Sequence, residues 1–141
     1  MHGRIFYLRE LRYGFEEDRF TVRIDPFTDV LNEMEDPEFR ITIGTADELT
    51  LVVKLQRGLL QEFAIEKERA CLLNPRSFAD AAFDRMLEVS VQRDILNLKG
   101  QKTIRLGVAL WHAGLPVDVL PAEGILDIAL GDDQSSWPIE N

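Results

Sequence analysis

The chain has 141 residues, of which 45% are hydrophobic and 29% charged, proportions of an ordinary globular protein that argue against disorder or a fibrous class. That length suits one domain, residues 1–141, with one core burying roughly two-thirds of the surface its unfolded chain would expose. The formal net charge of -9 argues against nucleic acid or an anionic membrane as the main partner, because both reward clustered Lys and Arg.

Charged residues interrupt every apolar run well short of the about 18 residues a membrane-spanning helix needs. The opening Met-His-Gly-Arg is not followed by the apolar block of a signal peptide, so the expected location is the cytoplasm. Cys71 is the single cysteine, which excludes an intramolecular disulfide and a multi-thiolate metal site within one chain. Its expected place is that of a small buried hydrophobe. Nucleophilic use would need a histidine beside it, and His2 and His112 are both distant in sequence.

Period-two alternation carries the organisation and marks strands with one buried and one wet face. Residues 5–15 are apolar at Phe6 and Leu8, then at Leu11, Tyr13 and Phe15, a phase slip around Arg9-Glu10 that a β-bulge would absorb. Glu16-Glu17-Asp18 reads as an acidic hairpin tip. Residues 19–25 alternate most regularly, with Phe20, Val22 and Ile24 on one side, and Pro26 ends that strand for want of an N–H. A loop over residues 27–38 carries Asp29, Glu33, Glu35 and Asp36. Four carboxylates suit Ca²⁺ in kind, but their spacing does not match a helix-loop-helix calcium site, and a solvated loop is expected.

Alternation resumes at residues 39–43 and 49–55, predicting a second hairpin, and Arg57-Gly58 leads to a strand over residues 61–66. Residues 77–84 read as one or two helical turns capped by Ser77, or equally as a loop. Strand character returns at Leu87, Val89 and Val91, and residues 94–100 read as a single turn or tight loop closed by Gly100. Residues 103–111 form the strongest late strand, with Ile104, Leu106, Val108 and Leu110 inward and Arg105, Gly107, Ala109 and Trp111 outward. His112-Ala-Gly114 is a turn, Val117 and Val119 the return, residues 121–124 a further turn, and residues 125–130 the last strand. Eight or nine short strands without long crossovers predict an all-β antiparallel sandwich.

Three stretches together resemble the β-sandwich domain that follows the catalytic barrel in bacterial glycoside hydrolase family 57 proteins. The first is the hairpin of residues 11–25, with Tyr13-Gly14-Phe15 as its most specific element. The second is residues 87–91 with Leu96-Asn-Leu-Lys-Gly100, and the third is the strand-turn-strand of residues 108–124. The resemblance spans residues 11–130 and extends to the DOMON-like group, which includes family 9 carbohydrate-binding modules and some haem-binding domains. It implies an immunoglobulin-like sandwich in a non-catalytic role beside a polysaccharide-active enzyme, partnered by that enzyme's catalytic domain and by polysaccharide. It transfers no catalytic residue, because the glycosidase carboxylates would lie on the barrel. The family pattern is the tail of a longer polypeptide, whereas here Met1-His2-Gly3 stands close to the first strand and leaves little room for a leader. A fragment and a free-standing relative both remain open.

No local motif supplies an acid/base pair, a nucleophile with its base, or a metal cluster. Asp132-Asp133 reads as a solvated terminus, and Glu88 with Asp94 is a pair only folding could join. No enzyme activity, metal or cofactor is therefore expected. Sugar binding needs a flat aromatic face near groups that donate and accept hydrogen bonds. Trp111, outward at a strand end, with His112 beside it and Arg105 on the same face, is the candidate carbohydrate-binding set. The plainer role for Trp111 is packing under a loop or against a catalytic partner. Trp137 is expected to pin the tail to the sandwich. Haem, the other DOMON-type ligand, would use His112 with Met34 or Met86, and turn histidines are ordinarily just solvated.

Overall fold

The computed structural model describes residues 6–45 and 47–130, so the expectations for the leader, His2, Asp132-Asp133 and Trp137 lie outside the described residues. In chain order the elements are β1 (Leu8–Glu16), β2 (Arg19–Pro26), a single turn α1 (Thr28–Leu31), β3 (Glu38–Gly44), β4 (Glu48–Gln56), β5 (Leu59–Lys67) and β6 (Ala70–Cys71). A 3-10 turn (Pro75–Ser77) follows, then β7 (Ala79–Asp84), β8 (Met86–Gln92), the turn α2 (Arg93–Leu96), β9 (Thr103–His112), β10 (Leu115–Leu120) and β11 (Leu126–Ala129). Every pairing is antiparallel. The strands form a small sheet in the order β1-β2-β8-β7 and a larger one in the order β10-β9-β3-β4-β5-β6, with β11 also paired to β9.

The two sheets share one core because each presents one apolar row set inward. Phe20, Val22 and Ile24 of β2 with Leu87, Val89 and Val91 of β8 face Phe39, Ile41 and Ile43 of β3, Leu49, Leu51 and Val53 of β4, and Ile104, Leu106 and Leu110 of β9. Each of these is at most 1% exposed, and burying a side chain of this size contributes about 1.5–3 kcal/mol. The phase slip in β1 is a register shift between Leu8 and Glu10. It lets Leu8 and Phe15, two residues of opposite parity, both join the core.

Every expected strand is present, and the described residues hold two more, eleven in all. One is the two-residue β6 on the edge of the larger sheet, where Cys71 is exposed rather than buried. The other is β7, in place of the helical turns or loop expected over residues 77–84. Its inward residues are Ala79, Ala81 and Phe83, and alanine, a good helix former, masks the strand period. Ser77 ends the short 3-10 turn, whose N-cap position is held by Asn74. The loop after β2 is also not wholly irregular, since α1 places Leu31 in the core.

Both open sides of the sandwich are closed by a charged side chain. On one side Asp118 points inward from β10 and is the one buried charged residue among the described residues, 4% exposed. Its Oδ2 accepts from the backbone N–H of Tyr7 and of Leu8, both at 2.9 Å, and its Oδ1 from the N–H of Val119 at 2.9 Å. These bonds tie the start of β1 in the small sheet to β10 in the larger. On the other side the Arg76 guanidinium lies 5.4 Å from the ring centroid of Phe63 on β5 and donates to the Ala81 carbonyl of β7 at 3.3 Å.

Between β10 and β11 the chain leaves the sheet edge over residues 121–125 and crosses β9 at Gly107. A Cβ at Gly107 would run into the Gly124 carbonyl oxygen and lie 3.1 Å from Ile125 Cδ1, so only glycine admits this crossing. Asp118→Ala would leave three backbone donors without their acceptor and should lower stability by about 2–4 kcal/mol in a denaturant titration. A loss under about 0.5 kcal/mol, the range of an ordinary surface change, would show that the clamp is dispensable. Gly107→Ala should cost about 1–3 kcal/mol by displacing residues 121–125, with proteolytic nicking in that segment as the local readout.

Candidate functional site

Strand β9 carries all three candidate carbohydrate-binding residues, and the pleat separates them. Trp111 and Arg105 do share the outer face of the larger sheet, but six residues at about 3.4 Å each put them about 20 Å apart along the strand. Arg105 pairs across to Gly44 on β3 and Asp127 on β11, at the far end from Trp111. His112 closes β9 instead of belonging to the turn, which is Ala113-Gly114. Its parity with Ile104, Leu106, Val108 and Leu110 directs it away from the face that Trp111 occupies. The three residues therefore do not form one set.

What stands around Trp111 comes from strands that are distant in sequence. Register places Glu38 of β3 opposite Trp111, Lys54 of β4 opposite Glu38, and Glu62 of β5 opposite Lys54. This is one polar row across four strands. From the next row, the Arg40 guanidinium sits 4.4 Å from the Trp111 ring centroid, while its Nε donates to Glu38. Lys54 Nζ lies 3.8 Å from Glu38 Oε1 and 3.4 Å from Glu62 Oε2. These ion pairs are partly solvated and each contributes at most about 1 kcal/mol; the cation–π contact contributes about 0.5–1 kcal/mol.

Chemically, this corner offers an indole ring with one face covered by a guanidinium, and donors and a carboxylate at its border. The remaining ring face can stack on an apolar surface, and Arg40 or Glu38 can bond a neighbouring hydroxyl. Beside it Arg40 is flanked in its row by Ala109, the buried Val52 and Ala64, and the next row, Gly107, Thr42 and Thr50, begins under the crossing of residues 121–125. Arg40, Glu38 and Lys54 were missed by sequence reasoning because alternation shows that they point outward and not which strand they meet.

The outer face of the small sheet is a charged ladder. Arg23 Nε donates to Glu88 Oε2 at 2.9 Å, Arg12 pairs with Glu10 at 3.0 Å, and Arg19 lies 3.5 Å from Asp80. Glu88 is thus held on this face, while Asp94 stands in α2 and lines a separate cleft with Glu17, Asp18 and Lys99. Among the described residues no group of three or more His, Cys, Asp or Glu is placed to hold a metal ion, the carboxylates after β2 included. Of the residues weighed for haem, Met86 opens β8 on the small sheet, and Met34 packs against the core below α1.

Of the exposed large apolar residues, Phe27, Leu59 and Leu115 gather at one end, whereas Leu73 follows the edge strand β6 and Ile125 lies against Gly107. Pairings of Gln56 with Leu59 and of His112 with Leu115 put the two hairpin turns at the end where β3 begins. Leu59 and Leu115, just past those turns, are 71% and 67% exposed. Phe27 lies at the same end, bonded through its N–H to the Tyr7 carbonyl, and is also exposed. In a Trp137→Phe background, Arg40→Ala should uncover Trp111, giving a red-shifted emission and faster acrylamide quenching. Unchanged quenching would mean that the guanidinium does not cover the ring. No family model, no characterised protein and no solved structure matches this chain.

Proposed function

We propose that this chain is a non-catalytic accessory domain of a polysaccharide-active (α-glucan) glycoside hydrolase, docking to the catalytic domain, weakly holding carbohydrate, or both. The observation that carries the docking half is the placement of exposed Phe27, Leu59 and Leu115 at one end of the sandwich. Outside the Trp111 corner the outer sheet faces are largely polar or small, so an apolar contact with a partner is best made at the strand ends. An immunoglobulin-like, DOMON-like class and a cytoplasmic location belong to the same reading.

The family 57 resemblance is supported by the use made of its most specific motif. Phe15 packs against Phe20 at a tilt of 45° with ring centroids 4.8 Å apart, and Tyr13 approaches the same ring at 6.4 Å, so the Tyr-Gly-Phe hairpin contributes an aromatic cluster to the core side of the small sheet. For the sugar half, Trp111 with Arg40 and Glu38 supplies an aromatic face and polar border; Arg105 and His112 lie elsewhere.

Two measurements test the two halves. The domain should co-purify with a family 57 catalytic barrel, and Leu59→Glu with Leu115→Glu should abolish the association. Insoluble starch or glycogen should retain the domain weakly, with retention falling several-fold in Trp111→Ala. Absence of both co-purification and retention sinks the proposal, and self-association in their place would point to a free-standing oligomerisation domain.

A further inference from the structure

At the end of the sandwich that carries Leu59 and Leu115, the chain between α1 and β3 leaves a cleft of about 400 Å³. The half-buried Met34 is its accessible apolar wall, the nearly inaccessible Leu31, Pro37 and Leu55 form the floor behind it, and Asn32 and Arg57 line the polar side. The Pro37 carbonyl accepts from the Leu55 N–H at 3.0 Å, which fixes the floor against β4. Its volume falls near the lower end of the about 300–1,000 Å³ of sites that bury a small group, the size of one or two side chains. Methionine in such a wall adapts to more than one shape of guest.

A second hollow of about 360 Å³ adjoins the first across Asn32, Met34 and Arg57 and is bordered by Glu33, Glu35 and Asp36. All three carboxylates are exposed, and none forms an ion pair with another described residue. Arg57 is the one cation at this mouth, so its charge there is negative by two. The net charge of -9 adds a field of the same sign and favours approach of a cationic segment.

Apolar floor and acidic mouth are adjacent, so an occupant has to satisfy both at once. We propose that this cleft receives a segment of a protein partner that places a Leu- or Met-sized side chain in the apolar hollow and an adjoining Lys or Arg against Glu33, Glu35 and Asp36. Leu59 follows Gly58 at the edge of the cleft, and Leu115 stands on the neighbouring hairpin. They extend the apolar contact to either side. In an extended chain the side chains at i and i+2 share one side about 6.6 Å apart, so an apolar residue and the cation two positions on can reach the two hollows that meet at Asn32, Met34 and Arg57. The assignment of this segment to a catalytic barrel rests on the docking reading; the chemistry of the site does not.

Fluorescence anisotropy of the full chain with a labelled peptide Gly-Ser-Leu-Lys-Lys-Ser-Gly tests the inference, against the same peptide with Ala for Leu or Glu for both Lys. The Leu-Lys-Lys peptide should bind, with the Ala form weaker by roughly tenfold or more and the Glu-containing form not bound. Neutralising the mouth with Glu33→Gln, Glu35→Gln and Asp36→Asn together should weaken binding by about fivefold or more and flatten its dependence on salt. Asparagine tolerates the positive φ of 49° at position 36, and a thermal melt checks that the triple variant stays folded. Met34→Glu, placing a charge in the apolar hollow, should abolish binding. Equal binding of all three peptides, indifference to the triple variant, or no binding at millimolar peptide overturns the inference. If a barrel still co-purifies when the peptide does not bind, the docking reading stands and only this cleft is removed from it.

Discussion

A β-strand can hide only one of its faces when the other is polar, and everything else in this fold follows from that constraint. Neither sheet is closed on itself, so each has an apolar face that water would otherwise wet. The two faces meet, and the strands of both sheets contribute to one continuous core. Strand β1 shows how strictly the constraint operates: its apolar residues change parity at Arg9, and a one-residue register shift brings both halves to the same side.

Packing two faces together leaves two open sides, where sheet edges and backbone donors or acceptors approach the core. Apolar side chains cannot satisfy those groups, and unsatisfied buried amides are costly. Asp118 serves one side by accepting from the N–H groups of Tyr7 and Leu8 across the gap between β10 and β1, and from its own neighbour Val119. Arg76 serves the other by joining the ring of Phe63 to a carbonyl of the edge strand β7. One side has a shortage of acceptors and receives a carboxylate, and the other side has a free carbonyl and receives a guanidinium.

These closures shape where the molecule can act. With the core sealed and the outer face of the small sheet occupied by cross-strand ion pairs, the surfaces left for recognition are the Trp111 corner of the larger sheet and the loop end beside α1. The Trp111 corner is partly self-satisfied, since Arg40 covers one face of the indole. The loop end is less so: its leucines face solvent and its carboxylates lack cationic partners among the described residues. That difference in local saturation is the physical basis for assigning docking to the strand ends and only weak ligand contact to the sheet face.

Alternation by itself determined the all-β sandwich, most of its strands with their inward residues, and the bulge in β1, because period two is a local property of the backbone that needs no partner to be read. It also determined that Trp111 and Arg105 point outward. It could not show β7, whose alanines carry no strand preference, nor the exposed edge position of Cys71. Tertiary structure alone decided which rows meet, and with them the neighbours of Trp111: Arg40 and Glu38 lie about 70 residues away in sequence and reach it through the β3–β9 register. The importance of Asp118 was equally invisible, since an acidic residue between two valines reads as a solvent-facing position until the backbone donors of β1 are brought against it. Pairing register and inter-sheet contact are long-range properties, fixed by how whole faces pack, and a single strand carries no record of them.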